Sequence, residues 1–217
     1  EELEALPPPR WLVPGLFVEG SIAAIYGAAE SGKSFLALDL SLAVASGVPW
    51  HGREVTQGAA LYVAAEGAPG FRKRVRAWRF DRGVGDRSVP FFLMRNPLNL
   101  AAEKEAREFA CEVSSEFGEL RLIVVDTLNQ TAAGADENSA QDMGRYIASM
   151  KRLRDATGAA VVVVHHSGKD LGKGMRGSSA LLGAMDTTVE VERATDGRSI
   201  TVRVRKQKDA EREPQMR

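Results

Sequence analysis

The residues Gly27-Ala28-Ala29-Glu30-Ser31-Gly32-Lys33-Ser34 follow the spacing G-x-x-x-x-G-K-[ST]. The glycines let a loop wrap so that successive backbone N–H groups point at phosphate oxygens, the lysine reaches the outer phosphates, and the serine hydroxyl ligates Mg²⁺. A helix beginning at the lysine adds the positive end of its dipole. The chemistry implied is binding of Mg·ATP, with hydrolysis following if a base and a charge-stabilising cation are brought to the terminal phosphate.

Three further stations end apolar runs. Arg121-Leu-Ile-Val-Val-Asp126 places a carboxylate where a Mg²⁺ ion held by Ser34 could be reached through water. Leu61-Tyr-Val-Ala-Ala-Glu66 ends on an acid fit to polarise an attacking water as general base. His165 and His166 follow Val161 to Val164, where an imidazole could hydrogen-bond a γ-phosphate and register its loss. Packing or loop histidines are the plainer alternative, and spacing does not choose between the two.

Two basic clusters invite a different chemistry. The stretch from Ser167 to Ser179 is glycine-rich and carries Lys169, Lys173 and Arg176, so it is either a solvated loop or a grip on phosphodiesters; it has no aromatic for base stacking. Near the end, Arg203 and Arg205 alternate in step with Glu190 and Glu192 and are expected to pair with them across two strands. Lys206 and Lys208 lie beyond that pairing. They are either surface lysines or cations reaching a neighbouring subunit's phosphates. Arg72, Lys73, Arg74, Arg76 and Arg79 crowd one helix, which reads as a solvated or intersubunit face and not as a site. Trp11, Trp50, Trp78, His51 and Cys111 read as packing or surface residues.

These residues need a frame. Short apolar runs at Ser21–Tyr26, Ala59–Ala64, Val89–Leu93, Leu122–Val125 and Ala159–Val164 read as buried strands. Helical segments intervene near Lys33–Ser46, Gly70–Phe80, Glu103–Phe117 and Ser139–Ala156, the first apolar almost all round and stopped by Gly47 and Pro49. Strand and helix alternate, so the class is α/β, with a mostly parallel sheet covered by helices on both faces. Period-two alternation at Thr187–Arg193 and Ser199–Arg205 around Asp196-Gly197 predicts a closing antiparallel hairpin.

A chain of 217 residues, 44% hydrophobic, fits one domain, residues 1–217, with a full core. Twenty-nine basic and 29 acidic residues cancel, so attraction to nucleic acid has to come from local clusters. One cysteine excludes an internal disulfide and suggests a reducing, cytoplasmic compartment. No apolar run approaches the about 18 residues of a membrane helix, so no membrane partner is expected. The abrupt ends suggest a domain cut from a longer protein.

Taken in order, the P-loop, Ala64-Ala65-Glu66-Gly67, Val124-Val125-Asp126-Thr127-Leu128, Asp136-Glu137-Asn138-Ser139, His165-His166-Ser167-Gly168-Lys169, Arg176-Gly177-Ser178-Ser179 and Lys206-Gln207-Lys208-Asp209 resemble the RepA-like branch of RecA-fold ATPases, found in plasmid and phage hexameric replicative helicases. The resemblance spans nearly the whole chain. It implies Glu66 as the water-activating base, Asp126 as the Mg²⁺-linked acid, one of His165 and His166 as γ-phosphate sensor, and Lys206 and Lys208 as fingers entering the next subunit's site. It also implies a homo-oligomeric ring or filament, single-stranded DNA held by Lys169, Lys173 and Arg176, and a bacterial, plasmid or phage setting with a fused primase or replication domain. The Lys-x-Lys finger departs from the arginine common in hexameric helicases and is closer to recombination ATPases. A phage recombination ATPase on single-stranded DNA, and a KaiC-like regulatory ATPase indifferent to DNA, are the alternatives.

Overall fold

The computed structural model describes residues 8–65, 70–96, 98–168, 175, 177–197 and 199–210. A two-stranded antiparallel ribbon, β1 (Trp11–Val13) and β2 (Phe17–Val18), precedes the main sheet. The sequence then alternates β3 (Ile22–Gly27), α1 (Lys33–Ser46), β4 (Ala59–Ala64), α2 (Phe71–Asp81), β5 (Phe91–Met94), α3 (Glu103–Glu116), β6 (Leu120–Asp126), α4 (Ala140–Thr157) and β7 (Ala160–His166). A short helix α5 (Ser179–Ala184) leads into the hairpin β8 (Thr187–Arg193) and β9 (Ile200–Gln207).

The seven strands lie in the order β5-β4-β6-β7-β3-β8-β9, all parallel except β9. Strand alternation sends successive side chains to opposite faces, so the sheet builds two cores. Ala23, Ile25, Tyr62, Val124, Val162 and Val164 pack with α1 on one face. Ile22, Ala24, Val63, Val125, Val161 and Val163 pack with α3 and α4 on the other. The expected fold class, a mostly parallel sheet with helices on both faces and a closing antiparallel hairpin, is the observed one.

Helix α1 is buried almost all round because it is sandwiched against the sheet centre. Gly32 enters it at φ 98° and Gly47 leaves it at φ 71°, left-handed conformations that glycine adopts without strain. Its one acid, Asp39, accepts hydrogen bonds from Trp50 Nε1 (2.8 Å), Trp78 Nε1 (2.6 Å) and His51 Nε2 (2.9 Å). That knot fastens α1 to α2 and to the turn that follows α1. Burial works to raise the Asp39 pKa, but the hydrogen bonds from His51 and Trp78 outweigh it and hold the carboxyl below its ordinary value. Trp50 and Trp78 are therefore packing residues as expected, each with its indole N–H satisfied.

Among the described residues no helix is long and apolar enough to cross a membrane.

Candidate nucleotide-binding site

Strands β3, β7 and β6 are neighbours, and their C-terminal ends converge. Gly27 is level with His166, Tyr26 with His165, and Asp126 with Val164 and Ala64. The turn after β3 is the P-loop, so the fold delivers Lys33, Ser34, Asp126 and the histidines to one edge, where parallel sheets bind ligands.

Within the loop, Glu30 adopts φ 60° and Gly32 φ 98°, turning the chain sharply into α1. Lys33 donates from Nζ to the carbonyl of Ala28 at 2.6 Å, spanning the loop it would share with a phosphate. The Ser31 hydroxyl is buried and finds no hydrogen-bond partner among the described residues. A buried donor left open at the centre of a phosphate loop is what an anion's oxygen would satisfy, so the loop fits a polyphosphate. A cavity of about 330 Å³ opens beside it, lined by Lys33, Ser34, Asp126, Arg74 and Arg193 among others.

Asp126 sits on the α1 face of β6, where Tyr62 of β4 donates its hydroxyl to Asp126 Oδ2 at 2.5 Å. The same hydroxyl is 3.4 Å from the Ser34 carbonyl, so Ser34 and Asp126 stand on either side of one phenol. Burial, followed by the Asp126 charge, pushes the Tyr62 pKa well above its ordinary value, which keeps the phenol a proton donor at neutral pH. A serine and a carboxylate this close suit Mg²⁺, which takes few protein ligands and completes its shell with water and phosphate. No group of three or more His, Cys, Asp or Glu positioned for a metal occurs among the described residues, and a magnesium site of that kind needs none.

Alternation separates the two histidines. His165 falls on the face of Val161 and Val163 and is fully buried beneath α3 and α4. His166 falls on the α1 face with Val162 and Val164, level with Gly27, and is partly exposed.

The closing hairpin packs directly on the loop. A Cβ on Gly27 would meet the Val191 carbonyl oxygen at 2.1 Å, and one on Gly32 would meet Ile200 Cγ2 at 3.1 Å. Arg205 pairs with Glu190 at 2.6 Å and Arg203 with Glu192, the cross-strand pairing the alternation predicts. Lys206 and Lys208 lie at the far end. Lys206 caps α5 by donating to the carbonyls of Leu182 (2.8 Å) and Gly183 (3.0 Å). Burial, then the neighbouring Lys208 charge, lowers its pKa. Lys208 pairs with Asp186 at 2.7 Å, and the other Asp186 oxygen accepts from the Ile22 N–H, at the first residue of β3. Five residues of strand, about 16 Å, separate that level from Gly27. Neither lysine approaches its own chain's P-loop.

Glu66, Lys169, Lys173 and Arg176 lie outside the described residues. Two arginines at the site escape sequence reasoning. Arg74 reads from sequence as part of a solvated helix face, yet it lines the cavity and lies 4.4 Å over the Phe35 ring. Arg193 reads only as the last residue of a strand.

The profile of AAA_25, an AAA domain family, matches residues 2–172, most of the chain and all of the P-loop edge. The chain belongs to this AAA domain family. The AAA domain described here is thus a P-loop ATPase domain and a nucleotide binder. Among solved structures, the ATPase domain of a helicase is similar in fold, with a TM-score of 0.67 at 11% identity, covering 98% of this chain and 89% of that one. The shared architecture is RecA-like.

Proposed function

We propose that this domain hydrolyses ATP with Mg²⁺ and couples hydrolysis to binding and movement along single-stranded DNA, as the motor of a replicative helicase of the RepA-like branch. The observation that carries the reading is the division of labour along the sheet. Lys33, Ser34, Asp126 and His166 gather at one edge, whereas Lys206 and Lys208 are held at the other, out of reach of their own nucleotide. Lysines so placed can serve as fingers only for a neighbour, which calls for a ring or filament and for exchange of the contacts to α5 and Asp186 on assembly.

In this reading the P-loop amides, the Ser31 hydroxyl and Lys33 hold the phosphates, and Ser34 with Asp126 would hold Mg²⁺, which neutralises charge on the transferred phosphoryl group. Glu66 orients and deprotonates the attacking water. His166 is the phosphate sensor, since it faces the α1 side level with the start of the loop, and His165 is a packing residue. Lys169, Lys173 and Arg176 contact DNA, and the domain works within a longer replication protein.

The test is steady-state ATP hydrolysis with Mg²⁺, with and without single-stranded DNA, at low and high salt, with Lys33→Ala as the blank. DNA stimulation that fades with salt supports the motor. Hydrolysis indifferent to DNA in an assembled protein rejects it in favour of a regulatory ATPase, and DNA-dependent hydrolysis without duplex unwinding rejects it in favour of a recombination ATPase. Lys208→Ala activity should be restored by mixing with Lys33→Ala subunits, because each supplies what the other lacks.

A further inference from the structure

The hairpin β8–β9 carries its charges in two separate rows. Glu190 and Glu192 project to one face, where Arg205 and Arg203 neutralise them. Val189 and Val191 project to the other, into the core beneath α1. Arg193 is the next residue in that second row, so alternation turns it toward α1 and away from both glutamates. It forms no ion pair or hydrogen bond among the described residues, unlike Arg203 and Arg205.

Its position is fixed from the other strand. Arg193 is paired in register with Ile200, and Ile200 is the side chain that abuts Gly32 of the P-loop. Two strand positions earlier, the Val191 carbonyl presses on Gly27 at the start of the same loop. Arg193 accordingly lines the cavity that holds Lys33, Ser34 and Asp126. It also lines a second cavity, about 480 Å³, on the far side of the loop, together with the unpartnered Ser31. A guanidinium is always charged and matches phosphate oxygens with paired donors, so one left without a carboxylate at the rim of a phosphate loop has an evident ligand class.

We propose that Arg193 binds the polyphosphate chain of the nucleotide in its own subunit, giving the closing hairpin a direct hold on the ligand. This rests on the P-loop reading and extends it. Since Lys206 is borne on β9 and Lys208 just beyond its end, one rigid ladder would connect a subunit's own phosphates to the residues proposed to enter its neighbour's site.

The experiment is equilibrium binding of ADP and of a non-hydrolysable ATP analogue to the wild-type chain, Lys33→Ala, Arg193→Ala and Arg193→Lys, with the melting temperature of each measured without nucleotide. If Arg193 touches phosphate, Arg193→Ala binds both ligands on the order of ten- to hundredfold more weakly, the loss expected of a charge-assisted hydrogen bond. Arg193→Lys recovers part of that loss, and the nucleotide-free melting temperatures stay together. Wild-type affinity in Arg193→Ala, with Lys33→Ala defective, overturns the proposal and leaves the P-loop reading intact. Equal weakening in both Arg193 variants with a lowered melting temperature also overturns it, showing that the residue only packs the hairpin. A wild-type chain no better than Lys33→Ala would instead remove the nucleotide site itself.

Discussion

The Tyr62–Asp126 contact can be tested by removing one oxygen. Tyr62→Phe keeps the ring and its 5.1 Å edge contact with Phe71, and deletes only the hydroxyl that donates to Asp126 Oδ2 at 2.5 Å. Tyr62 is fully buried and Asp126 nearly so, so water does not readily replace the lost donor. A hydrogen bond to a charged group contributes about 1.5–3 kcal/mol. For a chain of this length each kcal/mol shifts the midpoint by about 2–4 °C, so thermal unfolding without nucleotide should fall by about 3–10 °C. The double variant Tyr62→Phe with Asp126→Asn should fall by less than the sum of the two singles, because the second change removes a partner already lost. The assay is circular dichroism melting of the four proteins at neutral pH. A Tyr62→Phe midpoint within about 1 °C of wild type, or strict additivity in the cycle, would refute the idea that this phenol supports the Mg²⁺-linked carboxylate. If the reasoning holds, Tyr62→Phe should also need more Mg²⁺ to reach half-maximal hydrolysis.

Gly27→Ala should lower the melting temperature and weaken nucleotide binding together, since its methyl group would lie 2.1 Å from a backbone oxygen that cannot rotate away; overpacking of this kind costs about 1–3 kcal/mol, read by thermal melting and ADP titration. Asp39 has a folded pKa below its unfolded value, so the stability it confers is present above about pH 4 and is lost as pH falls through the folded pKa. Asp39→Asn should therefore be less stable than wild type at neutral pH, with the two acid-limb melting curves converging as pH falls. All three tyrosines have raised pKa values, Tyr26 up to about 12 by burial and the Glu190 charge, and Tyr62 and Tyr146 chiefly by burial. Their contribution is complete below the ordinary value of 10.0 and declines above it, so phenolate absorbance in an alkaline titration should appear in step with unfolding rather than before it.

The order of strands and helices was legible because each buried strand is an apolar run and each helix has its own stops. What periodicity cannot convey is lateral order. Nothing in Val161–Val164 says that β7 lies between β6 and β3, and that placement brings the histidines level with the loop. β1, β2 and α5 escaped because two or three residues beside Pro14, or six in a glycine-rich stretch, carry no period. Tyr62 was hidden inside a strand where an aromatic reads as core, and Arg74 among four other bases on one helix. Arg193 had a signal that could have been used. In Val189-Glu190-Val191-Glu192-Arg193 the two acids occupy one parity and the arginine the other. The same counting separates His165 from His166.

Helix α1, whose first residue is Lys33, has 11 of its 14 residues buried. Surface helices breathe from a solvent-facing side, and their amides exchange through small local openings. This helix has no such side beyond Phe35 in its first turn. Its later amide protons should be released only when the whole sheet opens, so the dipole aimed at the phosphates is as persistent as the folded state itself. Any rhythm of opening and closing during turnover is left to the rim: the hairpin on one side of the loop and α2 on the other.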